Sequence, residues 1–269
     1  MIKPELTKTK NDSIHEFELL VDVGFFQKPA TDVTQKIGSE VFRRLKEDGL
    51  VVIRRASNTD ASSTTRLLLT VSRMLGKLIP DVDGTLIQNL ETFGSTSENL
   101  QGTSRFSEME LHTDGTFCED TPDWIGLAMI EESYVVGGDT VCLHVNRWQE
   151  LSFFLNVEQA TTPLAWVIPG HAMGKVKAPV FGFFESKVLI RFARHCLEDG
   201  QLRKNPALRS YVNAISKSLG ACDQVVKFHL RPGDIYFVDN RFVLHGRTVL
   251  NADSRLVRKV RRTRGVFCD

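Results

Sequence analysis

The sequence predicts a mainly β protein with flanking helices, built as a jelly roll or barrel behind two N-terminal helices, and three observations carry that reading. From about residue 85 onward, short apolar segments rich in β-branched and aromatic residues alternate with turn residues, the pattern of a sandwich or barrel. Before residue 80, apolar residues recur at helical spacing instead. The third observation is the motif Glu110-Leu111-His112-Thr113-Asp114-Gly115-Thr116, whose His and Asp stand two residues apart, the spacing that turns both side chains to one face of a strand.

Taken in order, residues 1 to about 30 are polar and irregular. Val33, Ile37, Val41, Phe42 and Leu45 then repeat at helical spacing until Gly49, which ends the helix. Residues 50–53 make a short apolar strand. A second helix is expected from about Ala61 to Leu75, with Asp60 as N-cap and Leu67, Leu68, Val71, Met74 and Leu75 on its buried side. Strands follow at 85–88, 124–130, 140–145, 187–192, 225–230 and 234–238. One helix interrupts them at 206–219, where Asn205 is the N-cap, Pro206 occupies the first helical position and Gly220 stops the run. No repeat, low-complexity tract or linker divides the chain. The reading is one domain over 1–269, with a helical part at about 31–80 and a jelly-roll core at about 85–267.

Composition narrows the function classes. The 269 residues are 42% hydrophobic and 25% charged, enough to bury a sizeable core. A net charge of +1 gives no global reason to expect nucleic acid as a partner. Five widely spaced cysteines, Cys118, Cys142, Cys196, Cys222 and Cys268, form no CxxC pair and imply neither a zinc ribbon nor a disulfide framework, so a reducing cytoplasm is expected. No signal-peptide core and no run of about 18 apolar residues is present, so no membrane partner is expected.

The chemistry enters with His112, Asp114 and His245. His245 lies in Phe237-Val238-Asp239-Asn240-Arg241-Phe242-Val243-Leu244-His245-Gly246-Arg247, between a turn-like Asp-Asn and a glycine. Two His and one carboxylate on one face of an octahedral ion leave the opposite face open, the ligand set of non-haem Fe(II) oxygenases. The companions stand in a suitable order. Gly137-Gly138-Asp139-Thr140 opens a strand after Asp114, and an arginine-rich run from Arg255 to Arg264 follows His245. A keto acid on iron needs a hydroxyl and a guanidinium for its far carboxylate, which Thr140 and an arginine of that run could supply. Within the run, Val257, Val260, Val266 and Phe267 alternate with the basic residues, which favours a half-buried strand over a nucleic-acid patch, and Arg262 and Arg264 would share a face. The remaining histidines, His15, His144, His171, His195 and His229, read as surface or hydrogen-bonded residues, and Asp139 as turn chemistry. Catalytic zinc also takes two His and one carboxylate, but no HExxH helix supplies a general base. A non-catalytic metal sensor would be expected to lose part of the set His112, Asp114, Thr140, His245 and Arg262.

The stretch from Met109 to Glu119, continuing through Gly137-Gly138 to Leu143-His144 and Trp148, together with Leu244-His245-Gly246-Arg247 and Arg262-Thr263-Arg264-Gly265, resembles the Fe(II)/2-oxoglutarate-dependent oxygenases of the clavaminate synthase and taurine dioxygenase superfamily, and within it the carbon-starvation-induced glutarate 2-hydroxylases. The likeness runs from about Glu108 to Phe267. It implies a double-stranded β-helix; Fe(II) on His112, Asp114 and His245; 2-oxoglutarate and O2 as co-substrates; Thr140 and Arg262 on the distal carboxylate of 2-oxoglutarate; and Arg264 facing the co-substrate or the prime substrate. It also implies a small-molecule substrate, glutarate first, and allows a homo-oligomer. With Asp114 present, hydroxylation or desaturation is expected and not halogenation. Two departures stand out: the region before the HxD motif is short, and Arg105-Phe106-Ser107-Glu108 places an acid near the motif. Glu108 beside a substrate amine makes a free amino acid, basic ones included, the alternative substrate.

Overall fold

A computed structural model describes residues 18–21, 31–55, 60–81, 83–93, 106–168, 175–251 and 253–268. Residues 1–17, His15 among them, and 22–30, Arg105 and His171 lie outside these residues, as does the side chain of Val33; the part of the N-terminal stretch that is described, Glu18–Val21, is a strand paired with Leu50–Arg55 and not irregular. The strands are β1 (Glu18–Val21), β2 (Leu50–Arg55), β3 (Gly76–Leu78), β4 (Gln88–Phe93), β5 (Met109–His112), β6 (Trp124–Ser133), β7 (Thr140–His144), β8 (Leu164–Val167), β9 (Lys175–Ala178), β10 (Phe181–Phe184), β11 (Lys187–Ile190), β12 (Val226–Phe228), β13 (Ile235–Asp239), β14 (Val243–Arg247) and β15 (Val257–Phe267). The helices are α1 (Thr31–Asp48), α2 (Ala61–Leu75), α3 (Leu151–Leu155), α4 (Asp199–Lys204) and α5 (Pro206–Gly220).

The helix boundaries follow from local chemistry. Asp60 caps α2, its carboxylate accepting from Ser63 N at 2.8 Å. Asn205 caps α5 through Leu208 N at 3.0 Å, with Pro206 at the first helical position where its missing N–H costs nothing. α1 stops at Gly49, whose φ of 76° is open to glycine and costly for other residues; its N–H donates to Leu45 O.

Two facing sheets form the body, an open jelly roll and not a closed barrel. The larger has the order β1-β2-β13-β6-β15-β3, with β4 also on β15; the smaller has the order β12-β7-β14-β5. Alternation along each strand sorts side chains into three apolar layers. On the outer face of the large sheet, Ile37, Val41 and Leu45 of α1 and Leu67, Leu68, Val71 and Leu75 of α2 pack on Val51, Ile53, Trp124 and Phe237. Between the sheets lie Leu50, Val52, Ile125, Met129, Tyr236, Val238 and Val260, opposed by Cys142, Val226, Phe228 and Val243. Leu111, Leu143 and Leu244 on the outer face of the small sheet are covered by Leu208, Val212, Ile215 and Leu219 of α5. Each fully buried aliphatic or aromatic side chain contributes about 1.5–3 kcal/mol. Together these layers hold two rigid sheets, and the functional groups lie at one end of the gap between them.

One strand expectation fails. Residues 85–87 are not a strand: Asp81 N donates to Thr85 O and Gly84 N to Asp81 O, closing a turn, and β4 begins only at Gln88. The Asp83-Gly84 pair overrides the apolar residues beside it, since Gly84 has φ of 80° and Asp83 accepts from Thr85 N. All five cysteines are free. No helix among the described residues is long and apolar enough to cross a membrane.

Candidate metal centre

Two strands of the small sheet bring the ligands together. β14 pairs antiparallel with β5 in a register that sets His245 opposite His112, and the rings lie 4.5 Å apart, centroid to centroid. Gly246 permits the approach, because a Cβ there would collide with the carbonyl oxygen of Met109. Asp114 departs from the sequence expectation in one respect. β5 ends at His112, so Asp114 stands in the following turn and not on the strand face. Asn240, in the turn between β13 and β14, fixes it there by accepting from Asp114 N at 2.8 Å and donating to Asp114 O at 3.1 Å and Pro122 O at 2.8 Å.

The result is a compact, buried cluster. Ligand atoms of His112, Asp114 and His245 lie within 4.8 Å of one another. Asp114 Oδ1 is 3.6 Å from His112 Nε2 and 4.0 Å from His245 Nε2, so both rings turn the same nitrogen toward one carboxylate oxygen. His112 Nδ1 lies 2.8 Å from Glu110 O; donating there, it leaves Nε2 with a free lone pair. Burial, then the neighbouring His112, pushes His245 down to about 3, so it is a neutral imidazole at ordinary pH. Burial alone would raise the Asp114 carboxyl, but the Arg262 guanidinium and the two histidines hold it well below the usual carboxylate range. A neutral imidazole at His245 and an ionised carboxylate at Asp114 are protonation states a divalent metal requires.

The inner face of β15 supplies the charge around the cluster. Arg262 donates from Nη1 to Asp114 Oδ2 at 2.6 Å and from Nη2 to Asp81 Oδ2 at 2.5 Å. Arg264, two residues on, donates from Nε and Nη2 to Pro80 O and lies 3.5 Å from Asp81 Oδ1. Thr140 is buried at the start of β7, the cross-strand partner of Arg247. Thus the structure brings His112, Asp114, His245, Arg262 and Arg264 together and sets Thr140 on the same sheet. Glu108 stands apart: it is exposed, just before β5, about 13 Å along the chain from His112.

The family model for CsiD matches residues 39–267. The chain belongs to the CsiD family. Among curated relatives, glutarate 2-hydroxylase of Pseudomonas putida is 28% identical over 158 residues, covering 58% of this chain and 48% of the relative. Glutarate 2-hydroxylase of Klebsiella pneumoniae is 26% identical over 162 residues, covering 59% and 49%. The chain spans about half the length of the curated relatives it matches. The solved structure of asparagine oxygenase with Fe(II), 2S,3S-3-hydroxyasparagine and succinate superposes with a TM-score of 0.69 at 16% identity, covering 93% of each chain. The non-heme iron oxygenase OrfP with Fe and alpha-ketoglutaric acid gives 0.66 at 17% identity, covering 88% of this chain and 80% of the other. These likenesses show a shared jelly-roll fold.

Within this CsiD member, several residues around the metal cluster escaped sequence reading. Asp81 comes from a loop 181 residues from Arg262 in the chain. His195 packs edge-on against the His112 ring at 5.6 Å, although nothing near it in sequence marks it. Arg258 and Arg247 are both held with lowered pKa, each by burial first, and the charge of Arg258 adds to the lowering at Arg247. The alternation along β15 could have found Arg258, since it shares a parity with Arg262 and Arg264.

Proposed function

We propose that this CsiD-family protein is an Fe(II)- and 2-oxoglutarate-dependent dioxygenase that hydroxylates an unactivated C–H bond of a small carboxylate. The carrying observation is the buried triad of His112, Asp114 and His245, whose ligand atoms lie within 4.8 Å of one another, the two-histidine, one-carboxylate set that would leave coordination positions for a keto acid and O2. When bound, iron with 2-oxoglutarate and O2 supplies the oxidation: the keto acid becomes succinate and CO2, and one oxygen atom goes to the substrate.

The chain supplies positioning and charge. Arg262 takes up Asp114 Oδ2, which leaves Oδ1 directed between the two Nε2 atoms. For the distal carboxylate of 2-oxoglutarate we assign Thr140 with Arg258, in place of the sequence expectation of Arg262. Two Arg262 nitrogens already donate to carboxylates, whereas the Arg258 side chain is 13% exposed, its Nε is buried without a hydrogen bond, and Glu132 Oε1 lies 3.8 Å away. Burial, then the charge of Arg258, pulls Arg247 down to about 10. Arg247 is the cross-strand partner of Thr140, so hydroxyl and guanidinium converge on one spot.

The relatives named glutarate 2-hydroxylase support a dicarboxylate, and the neighbours solved with hydroxylated asparagine support an amino acid. The test is incubation of anaerobically purified, Fe(II)-loaded protein with 2-oxoglutarate, O2 and candidate carboxylates. Succinate coupled to a product heavier by one oxygen is expected; no succinate from protein that binds iron would overturn the reading.

A further inference from the structure

We propose that His229 is a positioning residue of the co-substrate site: it holds the Glu132 carboxylate off the Arg258 guanidinium and so keeps that guanidinium open to the distal carboxylate of 2-oxoglutarate. This rests on the oxygenase reading and on the assignment of Arg258.

The charges around Arg258 make such a brace necessary. Glu132 Oε1 lies 3.8 Å from Arg258 Nε, and the two side chains are only 10% and 13% exposed. An acid beside a buried guanidinium ordinarily closes into a hydrogen-bonded pair at about 2.7–2.9 Å. Here it does not: both atoms are buried, and neither has a hydrogen-bond partner among the described residues. A small turn of the Glu132 carboxylate would close the gap and take up the donor that a co-substrate carboxylate needs.

His229, immediately after β12, opposes that turn. Its Nε2 lies 2.7 Å from Glu132 Oε2, the other oxygen of the same carboxylate. The ring is anchored in its turn, with Nδ1 3.0 Å from Asp139 Oδ1, while Arg54 Nη1 donates to His229 O at 2.7 Å. Asp139 is itself fixed. Lys227 Nζ lies 3.1 Å from its Oδ2, its N–H donates to Thr248 Oγ1 and its carbonyl accepts from Thr248 N. An imidazole held between two carboxylates of different elements is a brace, even though its side chain is 41% exposed.

The same brace reaches the hydroxyl side of the site. Asp139 directly precedes Thr140, and Phe228, the residue before His229, is the cross-strand partner of Thr140. One side chain therefore ties the acid facing the guanidinium to the start of the strand that carries the hydroxyl. Its partners are 97 and 90 residues away in the chain, so no local pattern marks it.

The experiment is anaerobic calorimetry of 2-oxoglutarate binding to the Fe(II)-loaded protein. His229→Ala is expected to weaken 2-oxoglutarate about 10-fold, because Glu132 then turns onto Arg258. Adding Glu132→Gln removes the competing charge and should bring affinity back to within about threefold of wild type, a recovery that a ring serving only packing would not show. His229→Gln, whose amide still reaches Glu132, should fall between wild type and His229→Ala. Glu132→Gln alone should tighten 2-oxoglutarate about two- to fivefold, and it leaves His229 in place, so misfolding of His229→Ala would not shield the idea. Undiminished binding by His229→Ala, no recovery in the double variant, or binding by Glu132→Gln no tighter than wild type overturns it. A wrong assignment of Arg258 shows instead as undiminished binding by Arg258→Met, and failure of the oxygenase reading as wild-type protein that takes up Fe(II) but no 2-oxoglutarate; either overturns the role of His229 as well.

Discussion

At the end of β15 nearest the metal centre, Arg262 and Arg264 share the carboxylates of Asp114 and Asp81, whereas four residues before Arg262 on the same face Arg258 has Glu132 3.8 Å from its Nε and no hydrogen bond at that nitrogen. The strand and the spacing are the same, but the pairing differs. At the first place the chain has matched cations with anions of its own. At the second a buried guanidinium nitrogen keeps donor capacity for an incoming anion. A metal ligand held by Arg262 and a co-substrate carboxylate taken up at Arg258 divide between these two places.

The largest break in that division is at the metal itself. Asp114→Ala removes the ionised ligand and leaves Arg262 without its partner, and succinate formation is expected to fall to the level without protein, with Fe(II) binding lost by calorimetry. Next comes the contrast between the arginines. Arg258→Met is expected to raise the KM for 2-oxoglutarate about 10- to 100-fold with Fe(II) affinity unchanged, because a charge-assisted pair to the distal carboxylate is lost. Arg262→Met is expected to do the reverse, weakening Fe(II) binding by about 10- to 100-fold through Asp114 with a smaller effect on 2-oxoglutarate. If the KM effect follows Arg262 and not Arg258, the assignment of the two arginines is exchanged.

How much of this the sequence could reveal depends on the distance over which each feature is fixed. The caps Asp60 and Asn205 and the stop at Gly49 are decided within one helical turn and lie where the pattern puts them, whereas Gly220 is the last residue of α5 and Ala221 caps it. His112 and Asp114 are two residues apart, so their partnership was legible even though Asp114 proves to stand in a turn. His245 joined them by its chemistry and not by any local pattern. Asp81 was illegible because its meaning depends on Arg262, reached only through the pairing of β15 with β3 and β4. The order among the arginines was also hidden. Which acid each arginine meets is set by Glu132 on β6, Asp81 and Asp114, all distant in the chain, so counting residues from His245 does not order their roles.

A smaller effect tests the rigid frame that holds the two arginine sites apart. Gly246→Ala places a Cβ against the Met109 carbonyl and is expected to cost about 1–3 kcal/mol of stability, while also loosening the His112–His245 approach. Urea unfolding and Fe(II) affinity should therefore fall together; loss of stability alone would mean that the sheet yields elsewhere.

The smallest effect lies in the acid dependence of the metal-free protein. Burial lowers His144 and His195 to about 4 and His245 to about 3, so between pH 6.5 and about 4.5 the unfolded chain takes up protons that the folded chain refuses. Stability must then fall as pH falls through that window, the opposite sign from a histidine that gains an anionic partner. His144 accepts from Asn146 N and stacks on Phe242, away from Arg258 and Arg262. His144→Gln removes one of the three titrations and should flatten the melting-temperature profile by roughly a third in this range. An unchanged slope would mean that His144 protonates freely in the folded protein, and the acid sensitivity would then belong to His195 and His245.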